Sequence, residues 1–322
     1  MSDTCALIVT YNRPELLLRC LNSLFQQITR PDIIVIIDNG SSIHTQTKLI
    51  ENGFLLYDTI DVDSEGNNTQ INRTLKIPIR YVRFLQNRGP AYAFYFGVRL
   101  FQGTDFRWLW MMDDDGFADL NCLSALLKNI SNADMLNPIV FDECDTEMLA
   151  FELSVEGTNE VIRNKDDVDR IAVNELIFSC AAPFNGTLIS KNLIDAVGYP
   201  LHQMYGWGVE GEYLTRIYRY GLKVATVSTA YHFHPKSRVQ KVTFFGGRYS
   251  VLFQTNRRLN YIYVRNNNYI LFRNGGLYAV SKHLVLYTLY FIEQLKFRDW
   301  LLYILALIDG VFAFWGREKR FS

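Results

Sequence analysis

The sequence predicts an α/β fold, with a mostly parallel central sheet flanked by helices and a mainly helical region at the C-terminus. Apolar runs that read as buried strands, at 5–11, 32–37, 79–85 and 107–112, alternate with stretches of helical period. The last of these strands runs into Asp113-Asp114-Asp115-Gly116, which puts carboxylates at its carboxyl end, where open α/β sheets keep their ligands. Late in the chain, the apolar and aromatic runs 284–292 and 300–308 have no such strand pattern.

Each element follows from local signals. After the first strand, Asn12-Arg13-Pro14-Glu15 opens a helix with proline near its first turn, and Leu17, Leu18, Cys20, Leu21, Leu24 and Phe25 supply its apolar face. The strand 32–37 ends in Asp38-Asn39-Gly40-Ser41-Ser42, a turn whose serines are placed to cap the next helix. Residues 58–74 are rich in Asn, Asp and Thr without apolar periodicity and read as a surface insertion. Beyond the strand 79–85, Asn87-Arg88-Gly89-Pro90 turns into a helix carrying Ala91, Phe94, Val98 and Phe101 at helical spacing. Strand and crossover helix in alternation outline a mononucleotide-binding sheet. Further on, 120–127 reads as a helix, 135–141 as a strand, 144–165 as a hairpin, 177–182 as extended chain, and 191–197 as a helix stopped by Gly198 and Pro200. Trp207 to Tyr213 leads into a helical run, 214–220, and 222–227 reads as an edge strand carrying Ala230, His232, His234 and Pro235 at its end. The expected organisation is an α/β domain over 1–240 and a mainly helical region over 241–322.

A chain of 322 residues can hold one large domain with an appendage, or two domains. Lysine plus arginine equals aspartate plus glutamate at 33 each, so no global field draws in a polyanion and no nucleic-acid partner is expected. Cys5, Cys20, Cys122, Cys144 and Cys180 are odd in number and never in CxxC spacing, which argues against zinc and disulfides and for reduced cytosolic thiols. Residues 1–4 lead straight into the short apolar run 5–9, unlike a signal peptide. Glu293, Gln294, Lys296, Arg298 and Asp299 separate the late apolar runs, and neither reaches the roughly 18 residues of a spanning helix.

Asp113 and Asp115, two apart on an extended backbone, can point the same way while Asp114 points elsewhere. Like charges so close repel unless a cation lies between them, and a hard divalent ion with phosphate oxygens completing its shell answers that need. The plainer reading is a solvated turn capping the next helix. Glu210 and Glu212 fall at a helix N-terminus, where they either complement the dipole or furnish a base beside a cleft. His232 and His234 share a face only if the chain there is extended, and most lone histidines hold no ligand.

Together these residues resemble a family 2 glycosyltransferase of the Rossmann-like GT-A fold, and within it the polysaccharide and O-antigen type of rhamnosyl- and galactofuranosyl-transferases. The resemblance runs from about 5 to 234 and, more weakly, through Tyr263-Val264-Arg265-Asn266. Val9-Thr10-Tyr11-Asn12-Arg13, Asp38-Asn39-Gly40-Ser41, Asn87-Arg88-Gly89, Asp113-Asp114-Asp115, Phe184-Asn185-Gly186 and the stretch from Trp207 to Tyr213 carry it, in the family's order. It implies that Thr10, Tyr11, Asn12 and Arg13 form the first nucleotide-holding loop and that Asp38 reads the base. It further implies that Asn87 and Gly89 sit beside the nucleotide and sugar, and that Asp113 and Asp115 bind metal with Asp114 nearer the donor sugar or ribose. His234 is the implied third metal ligand, with His232 competing for the role. Glu210 matches the family's base, with Glu212 as the alternative, and Asn185, Gly186 and Trp207 fall in motifs that meet substrate. Two departures stand out. Val209 replaces the first of two adjacent acids, and Pro90, Tyr92 and Phe94 make the stretch after Asn87 bulkier than the family's glycine-rich loop, which leaves the sugar open.

The implied reaction is inverting transfer of galactofuranose or rhamnose from a UDP- or dTDP-sugar to a glycan or lipid-linked glycan, with Mn2+ or Mg2+ bound. A sugar hydroxyl is a poor nucleophile at neutral pH, so a carboxylate must take its proton as the bond forms. A histidine ligand tilts the metal toward Mn2+. Trp207 either faces a sugar ring or anchors the core. Phe312, Phe314, Trp315, Arg317, Lys319 and Arg320 combine aromatic and basic groups as interfacial segments do. That tail either meets the cytoplasmic face of the inner membrane, where lipid-linked acceptors sit, or packs on the domain or on a second copy in a homo-oligomer. The rivals are a sugar nucleotidyltransferase, which usually brings a basic glycine-rich loop that this N-terminus lacks, a metal-dependent phosphohydrolase, which leaves Asp38 and Glu210 without a role, and a non-catalytic nucleotide- or glycan-binding module, which needs no base.

Overall fold

The computed structural model describes residues 3–57, 61–236, 239–254 and 256–321. Its contacts group into two compact units, Met1–Pro200 with Tyr213–Ser237, and Leu201–Glu212 with Arg238–Ser322.

The first unit begins with β1 (Thr4–Thr10), α1 (Pro14–Gln26), β2 (Ile33–Asp38) and α2 (Ile43–Glu51). β1 is buried along its whole length, as befits a strand covered on both faces. Pro14 sits in the first turn of α1, and Leu17, Leu18, Cys20, Leu21 and Leu24 form its buried face. Each such leucine contributes about 1.5–3 kcal/mol of burial. There follow β3 (Asp61–Val62), β4 (Asn68–Asn72), β5 (Ile79–Arg83), α3 (Pro90–Gln102), β6 (Trp108–Asp113), β7 (Phe117–Ala118), α4 (Cys122–Lys128) and β8 (Met135–Asp142). The unit continues through β9 (Asp145–Ser154), β10 (Val161–Asn164), α5 (Lys165–Ile171), β11 (Leu176–Phe178), β12 (Asn185–Ser190), α6 (Lys191–Val197), α7 (Val209–Arg219) from its second turn, and β13 (Val224–His234).

At the centre of the sheet β5, β2, β1 and β6 lie side by side, all parallel. The register sets Thr10 beside Asp38 and Val9 beside Asp113. The carboxyl ends of β1, β2 and β6 are therefore level, and the loops leaving them form one rim. Antiparallel β12 joins β6 to β8, and β8 pairs in parallel with β13.

The structure corrects several local expectations. The stretch 58–74, apart from Asp58 to Ile60, which lie outside the described residues, extends the sheet beyond β5 through β4, antiparallel to β5, and β3, antiparallel to β4. Its inward side chains are amides rather than hydrocarbons, which hid the strand period. Gln70 and Asn72 are buried and bond the backbone of Leu56 and Phe54. β13 is not an edge: it pairs with β8 on one side and with β11 and then β7 on the other. Ser42 precedes α2 but makes no side-chain cap. Its amide donates instead to Asn12 Oδ1 at 2.8 Å, while the Ser41 hydroxyl accepts from the Asn12 amide at 2.8 Å.

The second unit holds the segment Leu201–Glu212, the hairpin β14 (Gln240–Phe244) with β15 (Tyr249–Phe253), and the helices α8 (Arg257–Glu293) and α9 (Phe297–Val311). The region after 240 thus starts as a hairpin, because Phe244 and Val251 turn inward onto the aromatic cluster of Tyr287, Tyr290, Phe291 and Tyr303. α8 bends at Gly276, whose φ of 60° no helix interior adopts. Among the described residues no helix is long and apolar enough to cross a membrane. The tail divides: Trp315 packs on Tyr269 and Arg265, and Arg317 pairs with Asp309, whereas Phe312 and Phe314 are exposed. The side chain of Lys319 lies outside the described residues.

Candidate active site

The rim over β1, β2 and β6 gathers most of the expected residues of the first unit. β6 stops at Asp113 and the chain turns at Asp114-Asp115, so strand alternation ends before the acidic run does. Asp114 and Asp115 consequently share the guanidinium of Arg13. Arg13 Nη1 lies 3.2 Å from Asp114 Oδ1 and 2.6 Å from Asp115 Oδ2. Asp114 also accepts from the Thr10 hydroxyl at 2.7 Å and the Tyr11 amide at 3.4 Å, which ties the loop after β1 to the loop after β6. Burial pushes the Asp114 carboxyl up to about 6, opposed by Thr10 and Arg13 and reinforced by Asp115.

Asp115 meets His234 at the end of β13, with Oδ1 and Nε2 3.0 Å apart. His234 Nδ1 lies 2.6 Å from the Pro235 carbonyl, which calls for the hydrogen on Nδ1 and turns Nε2 toward Asp115. Adjacent donor atoms on an ion with bonds of ~2.1 Å stand ~3.0 Å apart, so this oxygen and nitrogen suit a divalent cation. Asp113 lies one residue before the turn, half-buried at the end of its strand. Among the described residues no three His, Cys, Asp or Glu side chains form a ready-made metal group.

The neighbouring loops are stapled by amides. Asn39 Nδ2 donates to Asn87 Oδ1 at 3.2 Å, the Arg88 amide donates to Asn39 Oδ1 at 2.9 Å, and the Gly89 amide donates to Asn87 Oδ1 at 2.8 Å. Asp38 lies beneath this surface, fully buried, accepting from the Tyr81 hydroxyl at 2.6 Å and the Ser41 amide at 2.7 Å. A base could reach that carboxylate only if the turn opened. Burial raises its pKa, against the opposing hydrogen bonds from Ser41 and Tyr81. Tyr11, by contrast, is 42% exposed.

Asn185 turns its amide back onto the carbonyls of Ala182 and Pro183, at 3.4 and 3.0 Å. The Gly186 carbonyl accepts from the Trp110 indole at 2.9 Å. His232 is fully buried and, among the described residues, neither ring nitrogen has a hydrogen-bond partner. Burial pulls its pKa down to about 3, the His234 charge adding to the shift and Asp115 opposing it. The ring lies against Gly116 and Gly186, where an added Cβ would stand 2.3 Å from Nε2 and 3.0 Å from Nδ1.

In the second unit, Trp207, Glu210 and Glu212 lie on the segment that ends in the first turn of α7. Glu210 Oε2 accepts from the Gly208 amide at 3.1 Å, folding the carboxylate back over its own helix start. Burial raises its pKa, and the hydrogen bonds from the amides of Glu210 and Gly208 oppose the rise.

Residues 5–140 match the family model described as Glycosyl transferase family 2. This part of the chain is a family 2 glycosyltransferase domain. Over 307 residues the chain is 26% identical to galactofuranosyltransferase GlfT1 of Mycolicibacterium smegmatis, covering 92% of this chain and 93% of the relative. It is 26% identical over 275 residues to galactofuranosyltransferase GlfT1 of Mycobacterium tuberculosis, covering 84% and 82%. Among solved structures, GalNAc-T7 crystallised with UDP, GalNAc and Mn2+ superposes with a TM-score of 0.54 at 16% identity, over 83% of this chain and 47% of that one. The 1-349 structure of S. aureus TarS gives 0.52 at 12% identity, over 96% and 82%. At such identities the likeness concerns the fold, which is GT-A with a C-terminal helical segment.

Several residues that organise the glycosyltransferase's rim were not singled out from the sequence. Tyr81 is one, although a tyrosine in mid-strand needs a partner for its hydroxyl when buried. Asn39 lay inside a quoted motif with no role, and Ser41 had only that of a helix cap. Arg19, which donates to the Asp115 carbonyl at 2.8 Å, carries no local signal, since only the packing of α1 brings it there.

Proposed function

We propose that this glycosyltransferase moves galactofuranose, with inversion, from UDP-galactofuranose to a hydroxyl of a glycan or lipid-linked glycan. The likeness to proteins named galactofuranosyltransferase over nearly the whole chain supports the sugar. The observation that carries the chemistry is the Asp115–His234 pair, an oxygen and a nitrogen 3.0 Å apart, the separation of neighbouring ligands on a divalent ion. Asp113, Asp115 and His234 would hold that ion, with the imidazole favouring Mn2+. Bound there, it would neutralise charge on the departing diphosphate.

The chain's own groups do the rest. The loop from Thr10 to Arg13 borders the nucleotide, with Tyr11 offering a ring face to the base and Arg13 a guanidinium to phosphate oxygens. Asp38, held by Tyr81 and Ser41, shapes the turn beneath the base, and Asn87 and Gly89 line its other side. Asp114 acts from below by holding the Thr10 loop in place. Asn185 and Gly186 border the sugar, and Trp207 presents an aromatic face to it. Glu210 takes the acceptor hydroxyl's proton as the new bond to the anomeric carbon forms, and the electron pair of the breaking bond leaves with UDP.

The test incubates the protein with UDP-galactofuranose, Mn2+ and a panel of octyl glycosides, reading UDP release and product mass. Transfer of one hexose that requires Mn2+ is expected, with Glu210→Gln slowed ~100-fold or more while UDP binding persists, and Glu212→Gln affected far less. Transfer from dTDP-rhamnose but not from UDP-galactofuranose would overturn the sugar, and an active Glu210→Gln would overturn the base.

A further inference from the structure

In the second unit, α8 carries two adjacent polar residues, Arg265 and Asn266, with no exposed surface at all. Asn266 Nδ2 faces three backbone carbonyls of a single segment: Met204 at 3.0 Å, Gly206 at 3.0 Å and Trp207 at 2.7 Å. Its Oδ1 accepts from Arg265 Nε at 3.0 Å, so the amide is oriented by chemistry, oxygen to a pure donor and nitrogen to pure acceptors. Arg265 adds a second hydrogen bond to the Met204 carbonyl at 2.9 Å, pairs with Glu318, and lies 4.9 Å from the Trp315 ring centroid.

The segment so held is not a regular element. Tyr205 has φ of 68° and Gly208 has φ of 93°, so the chain twists twice through the left-handed region before α7 begins. The Met204 carbonyl accepts one local bond, from the Gly206 amide at 2.8 Å, but such a stretch forms no helix or sheet ladder for the rest and draws on outside donors. Asn266 and Arg265 supply them, and the residues whose direction is thereby set are Trp207 and, through the Gly208 amide, Glu210.

We propose that Asn266, backed by Arg265, is a positioning residue for sugar transfer: it holds the carbonyls of Met204, Gly206 and Trp207 so that Trp207 and Glu210 keep their working directions. This role rests on the reading of Glu210 as the base. An equally buried neighbour supplies the control. Asn268 donates to the Val264 carbonyl of its own helix at 2.8 Å and meets His283 Nδ1 through its Oδ1 at 3.2 Å; among the described hydrogen bonds none joins it to the Met204–Trp207 carbonyls.

The experiment compares Asn266→Ala, Asn268→Ala and Glu210→Gln in the full chain, using UDP-galactofuranose, Mn2+ and octyl glycosides, with hydrogen exchange read across 205–212. Asn266→Ala is expected to lower kcat ~30- to 100-fold with little change in KM for the donor, and to speed exchange across 205–212 about tenfold or more. The acid limb of its pH–rate profile should move down, since a loosened loop hydrates Glu210. Asn268→Ala should lower the melting temperature and leave kcat near the parent value. Asn266→Ser, small and still able to donate, serves if the alanine variant does not fold, and should lose less. Unchanged kcat in Asn266→Ala beside an inactive Glu210→Gln would overturn the role, as would an equal loss in Asn268→Ala. If Glu210→Gln stays active, the base reading falls instead, and exchange across 205–212 decides whether Asn266 holds the segment.

Discussion

Gly116, directly after the acidic turn, is the position at which a single methyl group tests the geometry most sharply. Its φ is not positive, so alanine brings no backbone strain there; whatever it costs comes from space. An added Cβ would stand 2.3 Å from His232 Nε2, 3.1 Å from its Cδ2 and 3.2 Å from the Phe233 carbonyl oxygen, against an ordinary contact of 3.4–4 Å. The ring would have to retreat by about an ångström, and Gly186 lies against its other edge. Overpacking of this kind costs about 1–3 kcal/mol. Urea unfolding should show that loss in Gly116→Ala, and calorimetry should show weaker UDP binding in Mn2+, because the turn carrying Asp115 is displaced. His232→Ala alone leaves a cavity and costs about 2–4 kcal/mol. Combined, the substitutions should be less destabilising than their sum by about 1–3 kcal/mol, since the methyl group then enters the vacated space. A Gly116→Ala variant as stable as its parent, or strict additivity with His232→Ala, would refute the packing of that ring against the turn.

Arg13→Ala removes the guanidinium shared by two buried carboxylates. After discounting for the arginine's 37% exposure, the loss should be about 1–3 kcal/mol without metal, and Mn2+ should raise the melting temperature of the variant more than that of the parent. An equal or smaller Mn2+ shift would count against a cation site among these groups. Tyr81→Phe strips a donor from the buried Asp38 carboxylate and should cost about 1.5–3 kcal/mol at pH 8. Losing that donor raises a pKa that burial has already raised, and a raised folded-state pKa means stability regained as the group takes up its proton. The cost should therefore shrink at pH 5, and urea unfolding that shows it growing instead would contradict the assignment.

Much of the molecule was legible in the chain itself. The strand-and-helix alternation, the apolar face of α1 and the acidic run closing β6 are local patterns, because a strand buried on both faces must be continuously apolar and an amphipathic helix must repeat. β4 was missed because its inward residues, Gln70 and Asn72, meet their need for burial through hydrogen bonds rather than hydrocarbon. β13 was taken for an edge because its apolar start ends early, while the partners that bury its polar half come from β7 and β8.

The sequence by itself determined the class of fold, the order of the elements and the chemical inventory of the rim, all of which depend on residue type and spacing along a few neighbouring turns. Only the tertiary structure decided who meets whom. It set Arg13 against Asp114 and Asp115, brought His234 to Asp115 across more than a hundred residues, turned Asp38 inward onto Tyr81, and gave Asn266 the carbonyls before Trp207. Those pairings arise from strand register and from the points where strands end, and neither is written in the periodicity of any one segment.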